Sequence, residues 1–230
     1  VFVPLHDDTP LRVIRFQLVT FIIIAANIVL FLVTAAFQAD QVIAAVATGY
    51  GVVPVDLTDP ATRVGSGFQP VAEPVTFLTY MFLHGSWMHL ISNMLFLWVF
   101  GDNVEDAFGH VGFALFYLLC GIAAALTHVL FNLGSNMPMI GASGAVSGVM
   151  AAYLLLYPRA RVWVLILLRL PLRISALWAL GGWLAFQLIN VVLSAGKATE
   201  VAFWAHIGGF AAGLILTYLL RSRLLIRVGD

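Results

Sequence analysis

Gly141-Ala142-Ser143-Gly144-Ala145-Val146-Ser147-Gly148 runs directly into the apolar stretch Val149 to Tyr157. A turn of small residues carrying a serine therefore opens an apolar helix, and that helix is short. The 16 residues from Ala142 to Tyr157 span about 24 Å at 1.5 Å per residue, against about 30 Å of membrane hydrocarbon. Either the helix fails to cross, or its first turn lies below the membrane surface in a protein-lined cavity, where non-helical backbone is tolerated. The second arrangement sets Ser143 beside unpaired backbone N–H groups and the positive end of the helix dipole. Such a place suits a nucleophile whose reaction builds an oxyanion.

Composition supports the membrane. Of 230 residues, 62% are hydrophobic and 10% charged, against about 25% charged in a soluble domain. The formal net charge of zero excludes a strongly basic nucleic-acid binder. The single cysteine, Cys120, lies in an apolar run and reads as a buried structural thiol. The polar, proline-bounded first ten residues do not have the pattern of a cleavable signal peptide.

Six apolar spans are predicted, at about 16–37, 90–104, 111–131, 142–157, 177–193 and 203–220, within a single domain over 1–230. Arg12 and Arg15 precede the first span, Arg159, Arg161, Arg169 and Arg173 separate the fourth and fifth, and Arg221, Arg223 and Arg227 follow the sixth. Nine of the eleven basic residues thus fall on one side, with Arg63 and Lys197 on the other. The positive-inside bias makes both termini cytoplasmic. The long first outer loop, 38–89, contains apolar stretches (42–46, 52–55 and 77–83) expected to form short helices at the membrane surface. The segment 162–168 is too short to span and reads as an interfacial strand or hairpin.

Polar residues at membrane depth are costly and functional by default. His89 and Asn93 are four apart and share a helix face, while His206 lies near the outer end of the sixth span. With Ser143, four polar groups from three helices sit at one depth. Gly144 and Gly148, and Gly209 and Gly213, form two GxxxG pairs just after Ser143 and His206, a spacing that lets membrane helices approach closely. A close crossing would bring the His206 imidazole to the Ser143 hydroxyl as its general base. The Ser143 amide, the Asn93 side chain and the His89 imidazole could supply oxyanion donors. No carboxylate in the spans' interiors is available to orient His206, so a dyad is expected rather than a triad.

Taken singly, each residue has a plainer role: His89 and Asn93 could join helices by hydrogen bonds, and Ser143 and Ser147 could be packing residues. His110 and His128 read as structural. A zinc site from His84, His89 and His206 has no HExxH helix or cysteine ligand beside it.

Together, Gly141-Ala142-Ser143-Gly144, His84-x4-His89-x3-Asn93 and Ala205-His206-Ile207-Gly208-Gly209 resemble the motifs of rhomboid intramembrane serine proteases. The resemblance extends over nearly the whole chain. It implies an all-α membrane protein, a six-helix bundle with a long first outer loop. It also implies Ser143 as nucleophile, His206 as base, and Asn93, His89 and the Ser143 amide on the oxyanion side. Substrates would be single-span membrane proteins, cut at or near the outer membrane surface without metal or cofactor. The fifth helix, with Trp178, Trp183 and Phe186, resembles the family's gate, loop 194–202 its cap, and Glu105 a structural glutamate at the inner end of the second helix. Two departures stand out. Ser147 occupies a position where some members carry a tyrosine stacked on the catalytic histidine, and the stretch 73–80 lacks a Trp-Arg pair. The expectation is an intramembrane serine endopeptidase of a bacterial inner membrane. A non-catalytic protein that binds transmembrane segments, and a small transporter, are the competing readings.

Overall fold

The computed structural model describes residues 2–35, 40–59, 70–166, 169–194 and 201–228. In chain order the elements are β1 (Phe2–Asp7), α1 (Leu18–Ala35), α2 (Asp40–Tyr50), α3 (Pro54–Thr58), α4 (Glu73–Thr79) and a 3-10 turn (Tyr80–Phe82). They continue with α5 (Trp87–Phe108), α6 (His110–Phe131), α7 (Ser143–Leu156), β2 (Arg161–Ile166), β3 (Leu170–Ser175), α8 (Ala176–Leu193) and α9 (Phe203–Val228). The result is a multi-pass, all-helical membrane bundle with a small sheet at one end.

Among the described residues, four helices are long and apolar enough to cross a membrane: α1, α6, α8 and α9. The other two bundle helices, α5 and α7, are shorter or more polar. α7 has only 14 residues, about 21 Å, and α5 carries His89, Asn93, Asp102, Glu105 and Asp106. The large hydrophobic side chains of these helices are widely exposed, as in the α6 stripe Val111, Leu115, Leu119, Leu126 and Leu130. Such a surface suits lipid and not water.

The expected spans shift at their ends. α5 runs from 87 to 108 rather than 90 to 104, because the Ser86 hydroxyl accepts the His89 N–H at its start. At its other end Gly109, at φ +74°, turns the chain straight into α6. α9 continues past 220 through Arg221 and Arg223. α1 covers 18–35, and the expected end of the first span at 37 lies outside the described residues. So do Arg63, Lys197 and loop positions 195–200.

The segment 162–168, expected as an interfacial strand or hairpin, contributes strand β2 as far as the described residues run; β2 pairs with β3, and β1 adds a third strand that no local pattern announced. The order is β1-β2-β3, antiparallel, with Trp163 opposite Arg173 and Val164 opposite Leu172. Val162 and Val164 point into the protein while Arg161 and Trp163 face out, the period-2 pattern of a half-buried strand. Asp7 at the end of β1 accepts the Tyr153 hydroxyl of α7 at 2.6 Å. Arg173 of β3 pairs with Asp8.

Acidic side chains of α5 fasten the chain before α1. Asp106 accepts the backbone N–H groups of Arg12, Val13 and Ile14 at 2.6–2.8 Å. Glu105, fully buried, accepts the N–H groups of Val19 and Thr20, the Thr20 hydroxyl, and His110 Nδ1 at 2.5 Å. A buried carboxylate is tolerated only when so fully satisfied. Leu224 near the end of α9 packs with Ala107 and Leu156, so the last helix returns its C-terminal end to this same end of the bundle.

Candidate active site

The opposite end of the bundle is held together by α7 and α9. A Cβ on Gly209 would overlap the Gly144 carbonyl oxygen, and one on Gly213 the Gly148 carbonyl oxygen. Gly144 and Gly148 also lie against Ala124 and Cys120 of α6, which places the buried thiol among packing residues. Only helices free of side chains at the contact can come this close.

Ser143 is the first residue of α7, preceded by Gly141 at φ +123°. The Gly141 N–H is held by the Tyr80 carbonyl at 2.9 Å. Tyr80 is itself buried, with its hydroxyl on the Gly121 carbonyl at 2.7 Å. This tyrosine anchors the 3-10 turn that follows α4, in a stretch whose sequence lacked an expected anchor. The loop is further joined to the chain before α7 by paired backbone bonds between Val52 and Met139.

His206 stands in the first turn of α9 with its Nε2 2.8 Å from Ser143 Oγ. Its Nδ1 lies 2.9 Å from Gln187 Oε1 of α8. An amide oxygen only accepts, so Nδ1 is the donor in that bond. The sequence reading left Gln187 out. The signal available was an amide in the otherwise apolar stretch Trp183-Leu-Ala-Phe-Gln187, one turn after Trp183 and on its face.

Asn93 is buried on α5, and its Nδ2 lies 3.0 Å from His84 Nε2. An amide nitrogen only donates, so His84 accepts and fixes the side chain. The His84 and His89 rings meet edge to face at 5.0 Å. Gly141 leaves no space between its backbone and the His89 ring, with Asn93 Nδ2 next nearest. Asn93 and His89 thus flank the backbone that leads into Ser143. The Ser147 hydroxyl donates to the Ser143 carbonyl at 2.6 Å.

These groups line one cavity of about 960 Å³, with His89, Asn93, Ser143, Ser147, Trp183 and His206 in its wall. His128, read from sequence as structural, also lines it. His110 instead sits at the sheet end on Glu105. Of the three aromatic residues expected at the gate, Trp183 faces His206 at 5.7 Å. Trp178 and Phe186 lie outside the cavity lining and are 75% and 50% exposed, on the outward face of α8.

The family model described as the Rhomboid domain matches residues 71–223. The chain is 35% identical over 150 residues to rhomboid-like protein 11, chloroplastic, of Arabidopsis thaliana, covering 63% of this chain and 51% of that protein. It is 30% identical over 152 residues to rhomboid protein 1, mitochondrial, of Saccharomyces cerevisiae, covering 63% of this chain and 41% of that protein. The chain spans about half or less of the length of these relatives.

Proposed function

Because the chain belongs to the rhomboid family, we propose that it is an intramembrane serine endopeptidase that cuts transmembrane substrates with Ser143 and His206. The observation that carries this reading is the 2.8 Å contact between Ser143 Oγ and His206 Nε2, in a cavity that α7 opens onto with its first turn. His206 Nε2 takes the hydroxyl proton as Oγ bonds to the scissile carbonyl carbon. Negative charge builds on the carbonyl oxygen and is received by the Ser143 N–H, the Asn93 amide and the His89 ring. His206 then gives its proton to the leaving amine as the C–N bond breaks. Water, activated by the same imidazole, releases the acyl group from Oγ.

The substrate is a single-span membrane protein, which fits a site recessed among apolar helices. Arg161 and Arg173 lie in the sheet, the Arg12 N–H is held by Asp106, and Arg221 and Arg223 precede Leu224, which packs at the same end, in keeping with both termini on the cytoplasmic side. In a bacterial inner membrane the cut then falls towards the outer surface.

The test is labelling of the purified chain in detergent with a serine-reactive fluorophosphonate, wild type beside Ser143→Ala and His206→Ala. Labelling of wild type that vanishes in both variants is expected. A folded wild type that reacts neither with this probe nor with a small isocoumarin would overturn the protease reading and put transmembrane-segment binding ahead.

A further inference from the structure

α8 turns most of its surface outward. Its buried residues are Ala176, Ala179, Leu180 and Gln187. The first three lie in its opening turns, beside the sheet, where backbone bonds from Ala176 to Ala160 and from Leu177 to Pro158 fasten the helix. Gln187 stands alone in the far half and is the one buried polar side chain of α8 among the described residues. An amide inside an apolar bundle costs free energy unless its hydrogen bonds are made. Here the bond is to the Nδ1 of His206.

That bond has a chemical consequence. A neutral imidazole carries one proton, and an acceptor at Nδ1 keeps it there. The lone pair is then on Nε2, which faces Ser143 Oγ. The reverse tautomer would point a proton at the hydroxyl and could not take another. The ring also needs holding. Among the described residues no side chain lies flat on it: Trp183 is tilted by 42° at 5.7 Å and Phe203 is edge-on at 6.5 Å. Ser147 offers no ring.

We propose that Gln187 is the positioning residue for His206, making the site a serine–histidine–glutamine triad whose third member rides on α8. This rests on the Ser143–His206 reading above and deepens it. It also makes the base competent only while the far half of α8 lies against α9, since no residue of α9 itself holds Nδ1.

The experiment measures the second-order rate of fluorophosphonate labelling against pH for the full chain in detergent, with the thermal midpoint of each variant. Gln187→Met keeps the length of the side chain and removes the acceptor. It is expected to slow labelling roughly tenfold to hundredfold, below the loss that follows a wrong tautomer in a carboxylate triad, while the thermal midpoint stays within a few degrees. Gln187→Glu, when ionised, has no donor and can only accept. It is expected to restore labelling to within about tenfold of wild type and to move the acid limb of the profile to higher pH, because a carboxylate favours the imidazolium. His89 and His128, the other titratable groups near His206, are the same in every variant. Labelling of Gln187→Met at the wild-type rate overturns the proposal. So does equal slowing in both variants with an unmoved profile, which marks a packing role. A wild type as unreactive as Ser143→Ala overturns the underlying reading, and the triad with it.

Discussion

Gly209 of α9 rests on the carbonyl oxygen of Gly144 of α7, with no room for a Cβ between them. Ser143 is the neighbour of Gly144, and His206 is one turn before Gly209 on the same face. This backbone contact therefore sets the 2.8 Å spacing of Ser143 and His206.

Gly209→Val should force α7 and α9 apart. The obstacle is backbone, which cannot rotate away, so an overpacking cost of about 1–3 kcal/mol is expected. Fluorophosphonate labelling of Ser143 should fall at least tenfold, because a proton transfer across a widened gap loses its geometry. Labelling and the thermal midpoint are measured on the same preparation. Labelling at the wild-type rate would separate this contact from assembly of the site.

Asn93→Ala should lower kcat about 10²-fold with little change in KM, the expected loss for one oxyanion donor. His84 holds Asn93 by accepting from its amide and also packs edge to face on His89. His84→Ala should therefore move kcat in the same direction by less. Steady-state kinetics on a transmembrane substrate would check both, and an effect confined to KM would argue for substrate binding instead.

The residues that could be read from sequence are those whose partners are close in the pattern. His89 and Asn93 share a helix face, and each GxxxG pair begins beside a polar residue, so local spacing alone placed them at one depth. Gln187 had no such partner. Its bond reaches His206 across 19 residues and a change of helix, and an isolated amide in an apolar span has no periodicity to mark it. β1 was hidden for the same reason. Val3-Pro4-Leu5-His6 is broken by a proline, and its pairing strand lies some 160 residues away, with a register shift between Pro4 and His6. Short α7 was legible from length alone, and its depth followed. Of the aromatic residues expected on the gate helix, Trp183 lines the cavity whereas Trp178 and Phe186 are exposed on α8, a difference of inward and outward faces that the resemblance did not distinguish.

Glu105→Gln should destabilise the protein without touching the chemistry. Glu105 accepts from two backbone N–H groups, a hydroxyl and a histidine, and an amide turns one of its two oxygens into a donor. At least one buried donor then faces another, at a cost of about 2–4 kcal/mol. The thermal midpoint should drop, while the labelling rate of the folded fraction is unchanged. An unaltered midpoint would show that this tether between α1, α5 and α6 carries no stability.

Tyr80 separates two roles in one residue. Its backbone carbonyl holds Gly141 next to the site, whereas its hydroxyl holds the Gly121 carbonyl. Tyr80→Phe removes only the second bond and keeps the buried ring, so about 1 kcal/mol should be lost with labelling close to wild type. Tyr80→Ala empties the ring's place, at a cost of about 3–5 kcal/mol for a large aromatic. The turn that presents its carbonyl to Gly141 then loses its anchor, and labelling should fall with stability. Comparison of the two variants by thermal melting and labelling rate distinguishes the effects: if Phe slows labelling as much as Ala does, the hydroxyl and not the ring positions the chain leading into Ser143.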